Sequence, residues 1–261
     1  MGSARSIKAA GFDGIWISDT VARGREARPD PLMYLVAAAA ATSPGFELGT
    51  AVLQVPLRNP VELAQRLLTL HALCQGSFSF GAGAGSTRAD FDSVGVEFDK
   101  RFQLLTESLS TIRRLCKGET VGSATLNPWP NTLGGPPILI GSWASDLWIS
   151  RAAKDFDGWL TSGGGPGGTN FRNLKEGIKK YRDLGGKRAI VATVGVDLRA
   201  SSPPLNDDSR FTLRCSPQEA VERIERVAEL GYDDVLLRKD DLTQDDIAEV
   251  SATLRLRAKS P

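Results

Sequence analysis

One histidine, two methionines and three cysteines occur among 261 residues. Cys74, Cys116 and Cys215 are far apart and odd in number, which gives no disulfide framework. There is no CxxC pair and no Cys/His cluster, so no metal site is expected. His71 falls near the C-terminal end of a predicted helix and reads as a residue satisfied by carbonyls or water. Any chemistry must then proceed without a histidine base. Lysine plus arginine (32) nearly balance aspartate plus glutamate (31), and the basic residues are spread rather than striped. That distribution offers no footprint for nucleic acid. The longest apolar run, "YLVAAAAA", is far too short to cross a membrane, and "MGSARSIKAAGFDG" has no secretory hydrophobic segment. A cytoplasmic protein with a small-molecule substrate is the expectation.

What is present is an ordinary globular composition, 41% apolar and 24% charged, read as a single α/β domain over residues 1–261. Strand and helix patterns alternate along it. "GIWISD", "FELGTAVLQV", Ser77 to Gly83, "PPILIGS", "DGWLTSG", "RAIVATVGVDL" and "DDVLLRK" read as strands. Helices follow them, entered through Asp30-Pro31, Asn59-Pro60, Ser145 and the Ser216…Glu219 capping box. "TRADFDSVGVEFDK" and the stretch from Arg199 to Asp208 read as loops. One further helix, Ala4 to Ala10, stands ahead of the first strand. Strict alternation means a parallel sheet, either doubly wound or closed as an eightfold barrel. Chain length and the near-complete set of helices favour the barrel.

Ligand chemistry in such a barrel collects in the loops after the strands. Here those loops hold Asp19-Thr20, Thr50 to Leu53, Gly83 to Ser86, Gly141 to Trp143 and Trp159 to Ser162. They contain glycines, hydroxyls and indoles, without a carboxylate pair or a nucleophile–base pair. That profile suits a planar cofactor with a phosphate tail better than hydrolysis. In "SFSFGAGAGST" the glycines at 81, 83 and 85 mark either a plain turn or a place where bare backbone meets an anion. In the second case Gly83, Ala84, Gly85 and Ser86 form a cradle, with Thr87 adding a hydroxyl and Arg88 a charge. Ser142 and Ser145, at the mouth of the next helix, form a second hydroxyl set, so that the two sets hold one phosphate between them. Ser145 is equally suited to plain helix capping, Arg88 to solvation, and Trp16, Trp143 and Trp159 to the core. The glycines follow an internal strand, which argues against a Rossmann fingerprint.

The ordered series "GFDGIWISD", "DPLMYLVAAAAATS", "LGTAVLQVPLRNPVELAQRLLTLHALCQGSFSFGAGAG", "DFDSVGVEFDKR", "PPILIGS" and "DGWL" resembles the bacterial luciferase-like, flavin-dependent oxidoreductases. The resemblance implies a (β/α)8 TIM barrel that binds FMN, or alternatively the deazaflavin F420, at its C-terminal mouth. It places Gly83, Ala84, Gly85 and Ser86, with Ser142 and Ser145, on the cofactor phosphate, and sets a non-prolyl cis peptide at Ala51 and Val52 against the flavin ring. Where many members carry a histidine this chain has Thr20, so Asp19 or a water is the implied proton carrier. Family chains also begin with a strand for which this sequence has no residues, so the barrel is expected to lack its first strand. Electrons are implied to come from a flavin reductase or NAD(P)H, and a homodimer is expected through the alanine-rich face of the first complete helices. The loops Val21 to Arg28 and Gly163 to Thr169 are expected to set substrate choice. Two alternatives remain: a paralogue that binds flavin without catalysis or is wholly non-catalytic, and an unrelated barrel binding a sugar phosphate. The absence of Lys or Glu at the mouth opposes the second.

Overall fold

The computed structural model describes residues 2–22, 28–42, 44–142, 145–162 and 170–255. The chain forms two compact units, Met1–Lys8 with Asp13–Ile138, and Ala9–Phe12 with Leu139–Pro261. In chain order the first half carries α1 (Gly2–Ala9), β1 (Gly14–Ile17), α2 (Pro31–Ala41), β2 (Glu47–Thr50), β3 (Leu53–Gln54), α3 (Pro60–Leu73), β4 (Phe78–Gly83), α4 (Arg88–Val94) and α5 (Arg101–Cys116). The second carries β5 (Ile138–Gly141), α6 (Asp146–Asp155), β6 (Gly158–Ser162), α7 (Phe171–Asp183), β7 (Arg188–Asp197), β8 (Leu213–Arg214), α8 (Pro217–Glu229), β9 (Asp234–Arg238) and α9 (Gln244–Arg255). In the first unit β1 pairs β2, and β2 and β3 both pair β4, all in parallel. In the second, β5 pairs β6, and β6, β8 and β9 pair β7, again in parallel. Strands that pair are thus joined by crossovers rather than hairpins, as parallel pairing requires.

The helix starts follow from their caps. Asp30 accepts from the Met33 amide at 2.9 Å, and Asn59 from the Val61 amide at 2.9 Å, each with proline next in line. The Ser216 hydroxyl accepts from the Glu219 amide, whereas the Glu219 carboxylate turns to Arg223 rather than completing a capping box. β4 is buried at every position, the mark of a parallel strand covered on both faces. In the second unit Trp159 is fully buried, tilted against Tyr181 and Tyr232 at centroid distances of 5.5 and 6.1 Å. Gly177 of α7 leaves room for it, since a Cβ there would sit 2.7 Å from the indole.

Two expectations are corrected. The predicted strand Phe46 to Val55 is two strands, β2 and β3, separated at a cis peptide between Ala51 and Val52. The stretch read as loop after Thr87 contains α4 and a 3-10 turn, Phe98–Lys100. Phe91 drives α4 inward, wholly buried with Phe98 edge-on at 5.1 Å, and Gly95 at φ 70° closes the helix in the left-handed region. Seven residues are too few for helical periodicity to show in sequence. β8 is likewise too short to read.

Arg223 is the largest buried charge in the second unit, its side chain 2% exposed. It donates to Glu219 at 3.0 Å, to the Thr212 carbonyl at 2.9 Å and to the Pro203 carbonyl at 2.5 Å. Arg223→Met leaves those acceptors unpaired and is expected to cost about 2–3 kcal/mol in urea unfolding.

Candidate functional site

Asp19 lies two residues beyond the end of β1, and the polar centre of the first unit is built on its carboxylate. Its side chain is 2% exposed. It accepts from the Arg58 guanidinium at 2.5 and 3.0 Å and from the Gln54 main-chain amide at 2.9 Å. The guanidinium fork matches both carboxylate oxygens, the geometry in which a buried ion pair is strongest. Arg58 also donates to the Gln54 carbonyl at 3.1 Å and lies 3.9 Å from Asp30. The Gln54 side chain continues the network, donating to the Asp19 carbonyl at 3.3 Å and to Asp90 at 2.8 Å. The other Asp90 oxygen accepts from the Ala22 amide at 3.0 Å. Thr20, next to this clamp, is half-buried, and its hydroxyl has no partner among the described residues.

The glycines after β4 have a physical reason in this unit. A Cβ on Gly83 would lie 2.4 Å from Val52 Cγ2. Gly85 has φ +79°, and a Cβ there would lie 2.5 Å from Gln54 Oε1 and 2.9 Å from the Phe91 ring. Bare backbone at both positions therefore lets Val52, Gln54 and Phe91 close in. Gly83 and Ala84 are buried, Gly85 half-buried and Ser86 exposed, so the turn climbs from the core to solvent. The Ser86 hydroxyl has no partner among the described residues. Arg88 begins α4, pairs with Asp99 at 3.0 Å and lies over Phe98 at 4.7 Å.

The second hydroxyl set lies in the second unit. Ser142 accepts from Trp159 Nε1 at 3.0 Å and keeps its own proton to give. Ser145 is the N-cap residue of ten-residue α6, exposed, with no side-chain bond to that helix. Orphan amides at such a helix start and an uncommitted hydroxyl fit an anionic group, as does the Gly83–Ser86 turn with Ser86 in the first unit. Each set is complete within its own unit. Trp143 and Gly163 to Thr169 lie outside the described residues, as do residues 23–27 of the first substrate loop. His71 sits on α3 with its Nδ1 buried and unpaired, and burial lowers its pKa. Among the described residues no group of His, Cys, Asp and Glu could hold a metal, and no helix is long and apolar enough to cross a membrane.

Sequence reading placed Asp19 and Thr20 at the strand end but missed Arg58, Gln54 and Asp90. Arg58 lies within "LQVPLRNP", where only its charge beside a proline-entered helix could have flagged it.

Parallel strands with crossover helices, and donor-rich turns at the strand ends, define a TIM-barrel-like α/β protein. Residues 1–202 match the family model for luciferase-like monooxygenases, and the chain belongs to that family. Limonene 1,2-monooxygenase of Rhodococcus erythropolis is 33% identical over 115 residues, 44% of this chain and 30% of that one. The fold is shared with the FMN complex of the oxygenating constituent of 3,6-diketocamphane monooxygenase of Pseudomonas putida, at TM-score 0.75 and 18% identity over 99% of this chain and 90% of that one. It is shared equally with the coenzyme F420-dependent tetrahydromethanopterin reductase of Methanopyrus kandleri, at TM-score 0.75 and 16% identity over 98% and 94%.

Gly85→Ala meets both a left-handed backbone and a filled space, whereas Gly45, at φ +88°, has nothing within 4 Å of its Cβ position. Urea unfolding is expected to show a loss of about 1 kcal/mol for Gly45→Ala and about 3 kcal/mol for Gly85→Ala.

Proposed function

We propose that the protein is a flavin-dependent oxidoreductase or monooxygenase of a small organic substrate, using reduced FMN or the deazaflavin F420. In this reading the fold is the luciferase-like barrel. The observation that carries the reading is the set of hydroxyls after the strands, Ser86, Ser142 and Ser145, whose protons have no acceptor among the described residues. Family membership and the FMN- and F420-dependent enzymes of like fold support it. When bound, the cofactor supplies hydride or activates oxygen, and the protein's share is to bind, orient and exclude water. Ala51 and Val52 offer an apolar surface at the end of β2, and Gly83 to Ser86 offer main-chain donors for an anionic tail. In the second unit Ser142 and Ser145 offer hydroxyl donors of their own. Thr20, whose hydroxyl is uncommitted, is the group that can pass a proton to or from water. A flavin reductase or NAD(P)H would provide the electrons. Three free, buried cysteines suit the reducing cytoplasm.

A second reading, a flavin-binding protein without turnover, is favoured by one observation. Asp19 is held by three donor contacts, and Thr20 replaces the family histidine, so the β1 end has no free acid–base side chain among the described residues.

We also propose a homodimer through α2. That helix is apolar except for Tyr34, and its outward residues Met33 and Val36 are 73% and 36% exposed. A helix apolar all round is ordinarily covered.

Titration with FMN and with F420, followed by the visible absorbance of each, is expected to show saturable binding of one of them. Ser142→Ala/Ser145→Ala should weaken it about tenfold or more, the loss of bonds to a charged group. Saturation by neither cofactor overturns the reading. Bound cofactor without NAD(P)H oxidation in the presence of a reductase and oxygen selects the second. In sedimentation velocity, Met33→Glu/Val36→Glu is expected to run as a monomer where the unaltered protein runs as a dimer, with unchanged circular dichroism.

A further inference from the structure

The Asp90 carboxylate is 2% exposed, and among the described residues no cation pairs with it. Its oxygens are satisfied by two neutral donors, Gln54 Nε2 at 2.8 Å and the Ala22 amide at 3.0 Å. A buried anion in that state depends on both bonds, because losing either exposes a desolvated charge with nothing to replace the donor. Gln54 is itself 5% exposed, and its amide touches three segments at once. Nε2 reaches the Asp19 carbonyl on one side and Asp90 on the other, while Oε1 lies against Gly85. The orientation is forced: turned over, the amide would set Oε1 against two acceptor oxygens and Nε2 against a Cα.

We infer that Gln54 and Asp90 are positioning residues that lock the segment after β1, residues 19–22, to the Gly83–Ser86 turn as one piece. Arg58 completes the lock by fixing the Asp19 carboxylate as an anchor. Thr20 therefore stands in a set relation to the turn, and a ligand that moves the turn moves Thr20 with it. The coupling is a property of the first unit alone. Only what the turn holds rests on the cofactor reading above.

The test has two readouts. The first is amide hydrogen exchange without cofactor, followed by mass spectrometry of peptides containing Ala22 and residues 83–86. Gln54→Glu places a carboxylate against the Asp19 carbonyl and the Asp90 carboxylate, and is expected to raise exchange in both peptides together. Gln54→Glu/Asp90→Asn exchanges the amide and the carboxylate between the two positions. The amide introduced at position 90 then donates to the carboxylate introduced at position 54, and both peptides are expected to return most of the way to the unaltered rate, the Asp19 carbonyl alone still lacking its donor. The second readout is FMN or F420 affinity: about tenfold weaker in the single variant and within about threefold of the original in the double. Rescue by the swap is what loss of packing alone would not give. Should Gln54→Glu fail to fold, Gln54→Leu, uncharged and similar in size, is expected to raise exchange in both peptides. Exchange that rises in one peptide only, or in neither, overturns the inference, and so does a double variant that melts like the original yet stays fast in both. If the unaltered protein binds neither cofactor, the cofactor reading fails and the exchange result still decides the coupling.

Discussion

A carboxylate taken out of water must find its partners in the chain, and much of the first unit is arranged around doing so for Asp19. The desolvation of such an ion costs several kcal/mol and is offset only by close, well-directed donors. Asp19 obtains them from the backbone of Gln54 and the guanidinium of Arg58, residues 35 and 39 positions along the chain. To deliver them, β3 must run into a 3-10 turn at Val55–Leu57 so that Arg58 folds back toward its own strand. The same turn places Asn59 and Pro60 to start α3. One ion pair thus fixes where a strand ends, where a helix begins and how both stand against the end of β1.

The consequence for chemistry follows from the number of donors. With three contacts on its two oxygens, Asp19 is held as an acceptor, and drawing on it as a base would break a buried pair. His71 is no substitute. It lies in the last turn of α3, which leads through Gln75 and Gly76 into the start of β4, whereas ligand-facing loops follow the ends of strands. Its burial favours the neutral imidazole. Among the described residues the segment after β1 thus holds no free acid–base side chain, which is why the function proposed above assigns the reactivity to a bound cofactor.

The alternation of elements was legible because its signals are local. Asp30-Pro31, Asn59-Pro60 and Ser216 announce helices within a few residues, and the continuous apolar runs of β5 and β7 announce buried strands. The strand-end position of Asp19 and Thr20, and the unusual status of the glycines, could be read the same way. What escaped is non-local or short. The roles of Arg58, Gln54 and Asp90 exist only once segments more than thirty residues apart are brought together. α4 is fixed by one buried phenylalanine and a left-handed glycine rather than by periodicity. The cis peptide at Ala51–Val52 stands where the family resemblance set it, but the interruption of β2–β3 there leaves no mark of its own in a run of apolar residues that would suit an unbroken strand equally well.

The glycine-rich turn shows why a pattern can be noticed and still be assigned too simply. Its bare backbone looked like room left for a ligand, yet at Gly83 and Gly85 the room is taken by Val52, Gln54 and Phe91. The two uses are compatible because they concern different sides of the same backbone. The absent Cβ atoms open the inner side to the protein's own side chains, which press the turn into one conformation. The outer side rises from buried Ala84 to exposed Ser86, whose hydroxyl has no partner among the described residues. A donor array held from behind needs no reorganisation when an anion arrives, and the ordering entropy has already been met in folding. In the function proposed above the glycines therefore serve binding indirectly: they admit the packing that fixes the turn.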